Sequence, residues 1–153
     1  MTAAGDFGFL VGSWDVRQRR RCRWLAGCNE WEEFGSTSRC WSLFDGAANV
    51  DELQVPERGF SGLSLRLLDQ ERGEWSIYWA SSRSGVLFPA VTGRFRDGTG
   101  VFYGDDSYEE RDVRVRFLWS DITAGSARWE QAFSADGEQT WEVNWIMEFA
   151  RRE

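Results

Sequence analysis

The sequence predicts an all-β fold: a single domain over residues 1–153, folded as an up-and-down antiparallel barrel of about ten strands with a short helical turn before it. Three observations carry this. Turn signals built on Gly, Asp, Asn and Pro recur roughly every 8–12 residues. Between them apolar and polar side chains alternate with the period of a strand. No stretch carries the periodicity of a helix of about ten or more residues. Ten antiparallel strands in chain order close most simply into a barrel, which removes unpaired sheet edges. A two-sheet sandwich is the alternative.

The elements follow in order. Asp6 to Val11 is short and apolar and suits a helical turn that plugs one end. The first strand runs from Gly12 to Trp24, with Trp14, Val16, Gln18, Arg20, Cys22 and Trp24 on one face and Asp15, Arg17, Arg19, Arg21 and Arg23 on the other. Its inner face is polar in the middle, as a pocket wall is and a solid core is not, because a buried Arg needs a partner. Leu25 to Cys28 reads as the first hairpin loop, and Asn29 to Phe44 as the second strand with a bulge at Gly35. Asp45-Gly46 turns into Ala48 to Gln54; Val55 to Gly59 breaks the pattern; Gly62 to Asp69 resumes it with Leu63, Leu65 and Leu67 on one face. Gln70 to Gly73 turns into Trp75 to Ser82, and Ser82 to Pro89 is the most loop-like interior stretch, a candidate lid. Ala90 to Arg96, Gly100 to Tyr108, Arg111 to Ile122, Ser126 to Ser134 and Thr140 to Ala150 complete the strands, the last with Trp141, Val143, Trp145, Met147 and Phe149 on one face.

Composition narrows the function. Ten Trp and eleven Phe make the interior aromatic. The net charge of −7 has the wrong sign for a phosphate-binding surface, so nucleic acid is not an expected partner. All 18 basic residues are Arg, which leaves no Lys for a Schiff base or a P-loop. There is no His, the commonest general base and the usual zinc or haem ligand. The three cysteines, Cys22, Cys28 and Cys40, lack metal-site spacing and are odd in number. No cofactor is expected. The N-terminal residues show no basic start followed by an apolar run, and no stretch approaches the ~18 apolar residues of a membrane helix, so a cytoplasmic chain without membrane association is the expectation.

Gly12-Ser13-Trp14, following a short apolar turn, resembles the Gly-x-Trp signature of lipocalins and the wider calycin group. Ser76-Ile77-Tyr78-Trp79-Ala80, Phe102-Tyr103-Gly104-Asp105-Asp106, Trp119-Ser120-Asp121-Ile122, Trp129 to Ser134 and Trp141-Glu142-Val143-Asn144-Trp145 together resemble an uncharacterised family of small bacterial lipocalin-like proteins. The resemblance spans nearly the whole chain. It implies a calycin barrel with an internal cavity, no agreed activity, and Trp14 closing the base against Arg151 or Arg152. The nitrobindin branch of such barrels holds haem through a His, which this chain lacks.

If apolar parity marks the inside, the inward polar residues are Gln18, Arg20, Glu33, Ser81, Tyr103, Asp105, Asp121 and Gln131, with either Asp51 or Glu52, of which Glu52 is the one taken into the site. With Trp79, Trp129 and Trp145 as aromatic walls, Gln18, Arg20, Glu33, Glu52, Tyr103, Asp105 and Gln131 form the candidate ligand site. A satisfied internal network that merely fixes the fold is the plainer reading of the same polar groups. The outward Arg residues read as a solvated ladder against Glu30 and Glu32: a four-residue loop sets Arg23 opposite Glu30 and Arg21 opposite Glu32, and therefore Arg20 opposite Glu33 inside. The leading functional expectation is binding of a small apolar or aromatic molecule in the cavity. A cofactor-free enzyme of the cyclase or isomerase type, using a Tyr, carboxylates and an Arg, is the second. A structural protein with a filled barrel is the third, and a homodimer stays open.

Overall fold

The computed structural model describes residues 3–152; residues 1 and 2, at the head of the stretch read above for a leader, and residue 153 lie outside them. Among the described residues ten strands form one closed barrel: β1 (Gly12–Arg21), β2 (Trp31–Leu43), β3 (Ala48–Val55), β4 (Phe60–Asp69), β5 (Glu74–Ser81), β6 (Val91–Arg96), β7 (Thr99–Tyr108), β8 (Arg111–Ser120), β9 (Ser126–Ser134) and β10 (Glu142–Arg151). Each pairs antiparallel with its chain neighbour, and β1 pairs with β10 to close the ring. The architecture is the lipocalin-like one. Because the strands alternate in direction, the turns at 44–47, 70–73, 97–98 and 121–125 gather at one end, the base. Segments 22–30, 56–59, 82–90, 109–110 and 135–141 gather at the other, the mouth.

The base is closed by the N-terminal segment. A 3-10 turn, Gly8–Leu10, carries Phe7 and Leu10 into the barrel end. The Phe7 ring meets Phe95 at 4.8 Å and Trp75 at 5.0 Å, edge to face in both cases, the arrangement that aromatic quadrupoles favour. Trp14 is fully buried; its indole N–H donates to the Leu10 carbonyl at 2.8 Å, and the Arg151 guanidinium lies 4.2 Å from its ring centroid. Arg151 in turn donates to the carbonyls of Phe9, Val11 and Ala124. Arg152 pairs outside with Asp15 instead. Gly12 has a φ of +121°, and a Cβ there would come within 2.7 Å of Arg151 Nη1. The glycine of the Gly-x-Trp stretch is therefore required by both the backbone and the arginine.

Several expected details are corrected. β1 ends at Arg21, and the first connection runs from 22 to 30, longer than the four-residue loop expected. The β1–β2 register slips by one: Arg20 stands opposite Glu32, Arg19 opposite Glu33 and Arg21 opposite Trp31. A one-residue slip moves every partner to the other face, so Glu32 points inward and Glu33 outward, where it pairs with Arg17 at 3.5 Å. Gly35 is no bulge; it pairs straight with Arg17. The bulge lies in β10 between Val143 and Trp145, and it turns Trp141 outward onto Tyr103 and Arg116.

Parity also reverses on two strands. On β4 the leucines Leu63, Leu65 and Leu67 face outward, and Gly62, Ser64 and Arg66 face inward. Leu65 belongs to an external apolar row, Trp41–Val50–Leu65–Tyr78, set side by side across β2 to β5. On β7 the inner face is Gly100, Phe102, Gly104 and Asp106, so Tyr103 and Asp105 lie outside. Glycines hide a face from a reading that weighs side chains. Here they are forced, because a Cβ at Gly100 would meet the Phe95 and Phe102 rings within 3 Å. Asp121 sits in a turn at the base with φ of +51°.

Candidate functional site, a polar-floored aromatic cavity

Above the Phe7 plug the barrel holds a cavity of about 130 Å³. At the 10–15 Å³ that one water needs, this is room for on the order of ten water-sized bodies. Its walls are mostly aromatic and aliphatic, including Trp79 of β5, Phe117 and Trp119 of β8, Trp129 and Phe133 of β9 and Trp145 of β10. The wall folds this way because inward positions on β8 and β9 alternate strictly with outward Arg114, Arg116 and Arg128. Trp79 finds its place because Gly62 faces it on the neighbouring strand: a Cβ there would lie 1.9 Å from the indole.

The floor is polar. Arg66 of β4, whose side chain is 5 % exposed, donates from Nη1 to Asp51 Oδ2 at 2.6 Å and to Asn49 Oδ1 at 3.0 Å, both on β3. Its guanidinium carbon lies 5.3 Å from the Phe7 ring and 5.8 Å from Trp119. Cys40 is buried on the neighbouring β2; burial pushes its thiol up to about 12, so it holds its proton. A second network higher in the wall fixes Trp145: Gln18, fully buried, accepts its indole N–H at 2.7 Å and donates to Ser36 Oγ at 2.9 Å. Gln131 donates to Asn144 Oδ1 at 2.9 Å across the β10 bulge.

The mouth is covered by loops. Trp24, in the 22–30 segment, lies over the opening against Phe133 at 5.2 Å, Tyr108 at 5.4 Å and Trp145 at 6.4 Å. Arg21 ties that segment down by donating to the Val143 and Cys28 carbonyls, and Glu142 accepts from the Leu25 amide. Phe88 and Pro89 reach the cavity from the expected lid at Ser82 to Pro89, whose Val86, Leu87 and Phe88 are exposed. Beside it β5 and β6 pair over only three residues, Trp75 to Ile77. Tyr108 titrates above its ordinary range, chiefly through burial and then through the charge of Glu109.

Of the residues taken from the sequence, Trp79, Trp129, Gln131 and Trp145 line this cavity. Gln18 supports it from behind. Arg20 is half-buried near the mouth, bonded to Glu32 at 2.8 Å and stacked near Phe34 and Trp145. Glu33 and Glu52 are outside it; Asp51 is the member of its pair that faces in. Asp105 sits at the rim, but its carboxylate is exposed and turned to Arg114 at 3.1 Å. Tyr103 is outside, within reach of Arg114 and Trp141. Arg66 and Trp119 were not singled out. The signal that finds Arg66 is its register, which sets it opposite Asn49 and within reach of Asp51.

No family model matches the sequence, and no curated protein does. Among solved structures the chain is similar to the S-type phycobiliprotein lyase CPES from Guillardia theta, with 13 % identity, a TM-score of 0.60, and coverage of 100 % of this chain and 94 % of that one. The likeness is one of fold. The resemblance read from the sequence stands at that level too, a lipocalin-like barrel.

Proposed function

We propose that this barrel binds a small, largely apolar or aromatic molecule in its interior. The observation that carries the proposal is a cavity fenced by tryptophan and phenylalanine with a few polar groups collected at one end, the general design of a ligand pocket. A barrel meant only to be filled has no use for a buried ion pair under an unfilled aromatic space, since such a pair contributes little net stability. Burial moves the Cys40 thiol and the Tyr108 phenol further above neutral pH, away from the range in which a general base works. The structural neighbour is named a lyase, but at this identity no catalytic residue carries over. The proposed setting is a cytoplasmic, monomeric or homodimeric binder that needs no metal. The test is saturable binding of neutral N-phenyl-1-naphthylamine, read by its fluorescence. Stoichiometric binding that a bulky Ile77→Trp substitution abolishes without unfolding is expected. No binding, or binding that survives the blocked cavity, overturns the proposal.

A further inference from the structure

Two donors around the floor are left without acceptors. Arg66 Nε and the Trp119 indole N–H are both buried and have no hydrogen-bond partner among the described residues. Both side chains line the cavity. Solvent does not reach either nitrogen. The two donors stay orphaned unless the side chains turn to meet an acceptor, and the cavity they line is where one can come from. Asp51 Oδ2 and Asn49 Oδ1 both accept from Arg66 Nη1, which leaves Nε without a partner.

Charge decides which acceptor. Asp51 at 2.6 Å already cancels the Arg66 cation, so the floor offers N–H donors without net charge. A carboxylate placed there would be a second buried anion against one cation, which is costly. It would also have to pass Asp105 and Asp106 at the rim of a chain with net charge −7. A cation placed there would be a second buried cation against the one anion of Asp51, which is costly for the same reason. Resting on the binding reading above, we infer that the ligand carries an uncharged carbonyl oxygen, as in a ketone, quinone or amide. That oxygen accepts from Arg66 and Trp119 at the floor while the apolar body fills the tryptophan-lined space above.

Three naphthalenes of one shape test this by equilibrium dialysis: 2-acetylnaphthalene, 2-naphthoate and 2-ethylnaphthalene. The ketone is expected to bind about tenfold more tightly than the hydrocarbon, and more tightly than the carboxylate. Trp119→Phe keeps the ring and loses the donor; it should weaken the ketone roughly 3- to 10-fold and leave the hydrocarbon unchanged. Asp51→Asn keeps an oxygen for Arg66 but uncovers its charge, and should make the carboxylate the preferred ligand. If the hydrocarbon binds the parent as well as the ketone does, or if the carboxylate binds best, the inference fails while the cavity remains a binding site. If none of the three binds, the binding reading fails and the inference with it.

Discussion

The two ends of this barrel use the same residue types to opposite effect. At the base, Phe7, Trp14, Trp75 and Phe102 are buried to within 1 % and pack against a plug supplied by the chain itself. Their polar atoms are met locally, as the Trp14 indole is by the Leu10 carbonyl. Towards the mouth, Trp145 stands 6.0–6.4 Å from Trp24, Trp79 and Trp129, and the rings fence a space rather than fill one. The difference lies in what covers them. A 3-10 turn pinned by Arg151 enters the base, whereas the mouth is crossed by two loops held from their edges. Aromatic content alone therefore does not separate a core from a pocket; the neighbouring non-strand segments do.

The sharpest way to break the contrast is at the base. Trp14→Ala removes the plug's main partner and should lower stability by about 3–5 kcal/mol. Thermal unfolding followed by circular dichroism measures it, and a melt within a degree or two of the parent would deny Trp14 this role.

The buried pair at the floor comes next. Arg66→Met alone leaves Asp51 buried and uncompensated and should cost about 3 kcal/mol, whereas adding Asp51→Leu should recover part of the loss. Chemical denaturation of the two single variants and the double one reads the coupling. Equal and additive losses would mean that solvent screens the pair.

At the mouth the same kind of truncation should do less to stability. Trp24 is half-buried and sits on a loop, so Trp24→Ala should cost about 1 kcal/mol or less while opening the cavity. The check is quenching of the remaining tryptophans by acrylamide, expected to rise as the melting temperature stays near that of the parent. A loss as large as that of Trp14→Ala would make the mouth a second core.

The strands were legible because period-two alternation and Gly- or Asp-bearing turns act locally, and all ten fall where they were expected to within a few residues. Trp129 declared its face because its strand neighbours Arg128 and Glu130 are polar, and Trp79 and Trp145 because they share a parity with Trp75 and Ile77 and with Met147 and Phe149. What was not legible depends on other strands. Leu63, Leu65 and Leu67 look like a core face, but they face outward, so the inward Arg66 between them was not singled out. Tyr103 and Asp105 were misplaced because Gly100 and Gly104 give the inner face of β7 no side chain to weigh. The Arg20 partner turned on a single residue of register, set by the length of the 22–30 connection rather than by either strand.

The smallest expected effect concerns the loop at 135–141, which joins β9 to β10 beside the opening. Asp136 organises it: Oδ1 accepts from Ser134 Oγ at 2.8 Å and from the amides of Thr140 and Gln139, and Oδ2 accepts from Thr140 Oγ1. The hydrogen bonds from Thr140, then that from Ser134, hold its carboxyl down at about 2 from the usual 3.8. A folded-state value below the unfolded one means that the carboxylate stabilises the native loop. That contribution is complete above about pH 4 and is lost as pH falls through about 2. The carboxylate is exposed, so the effect is local rather than global. Asp136→Asn should speed amide exchange at Gln139 and Thr140 at pH 5, and the difference from the parent should vanish as pH approaches 2. If exchange at Phe7 or Trp14 changed in step, the mouth would not be opening independently of the base, and the division of the barrel into a packed end and an enclosing end would fall.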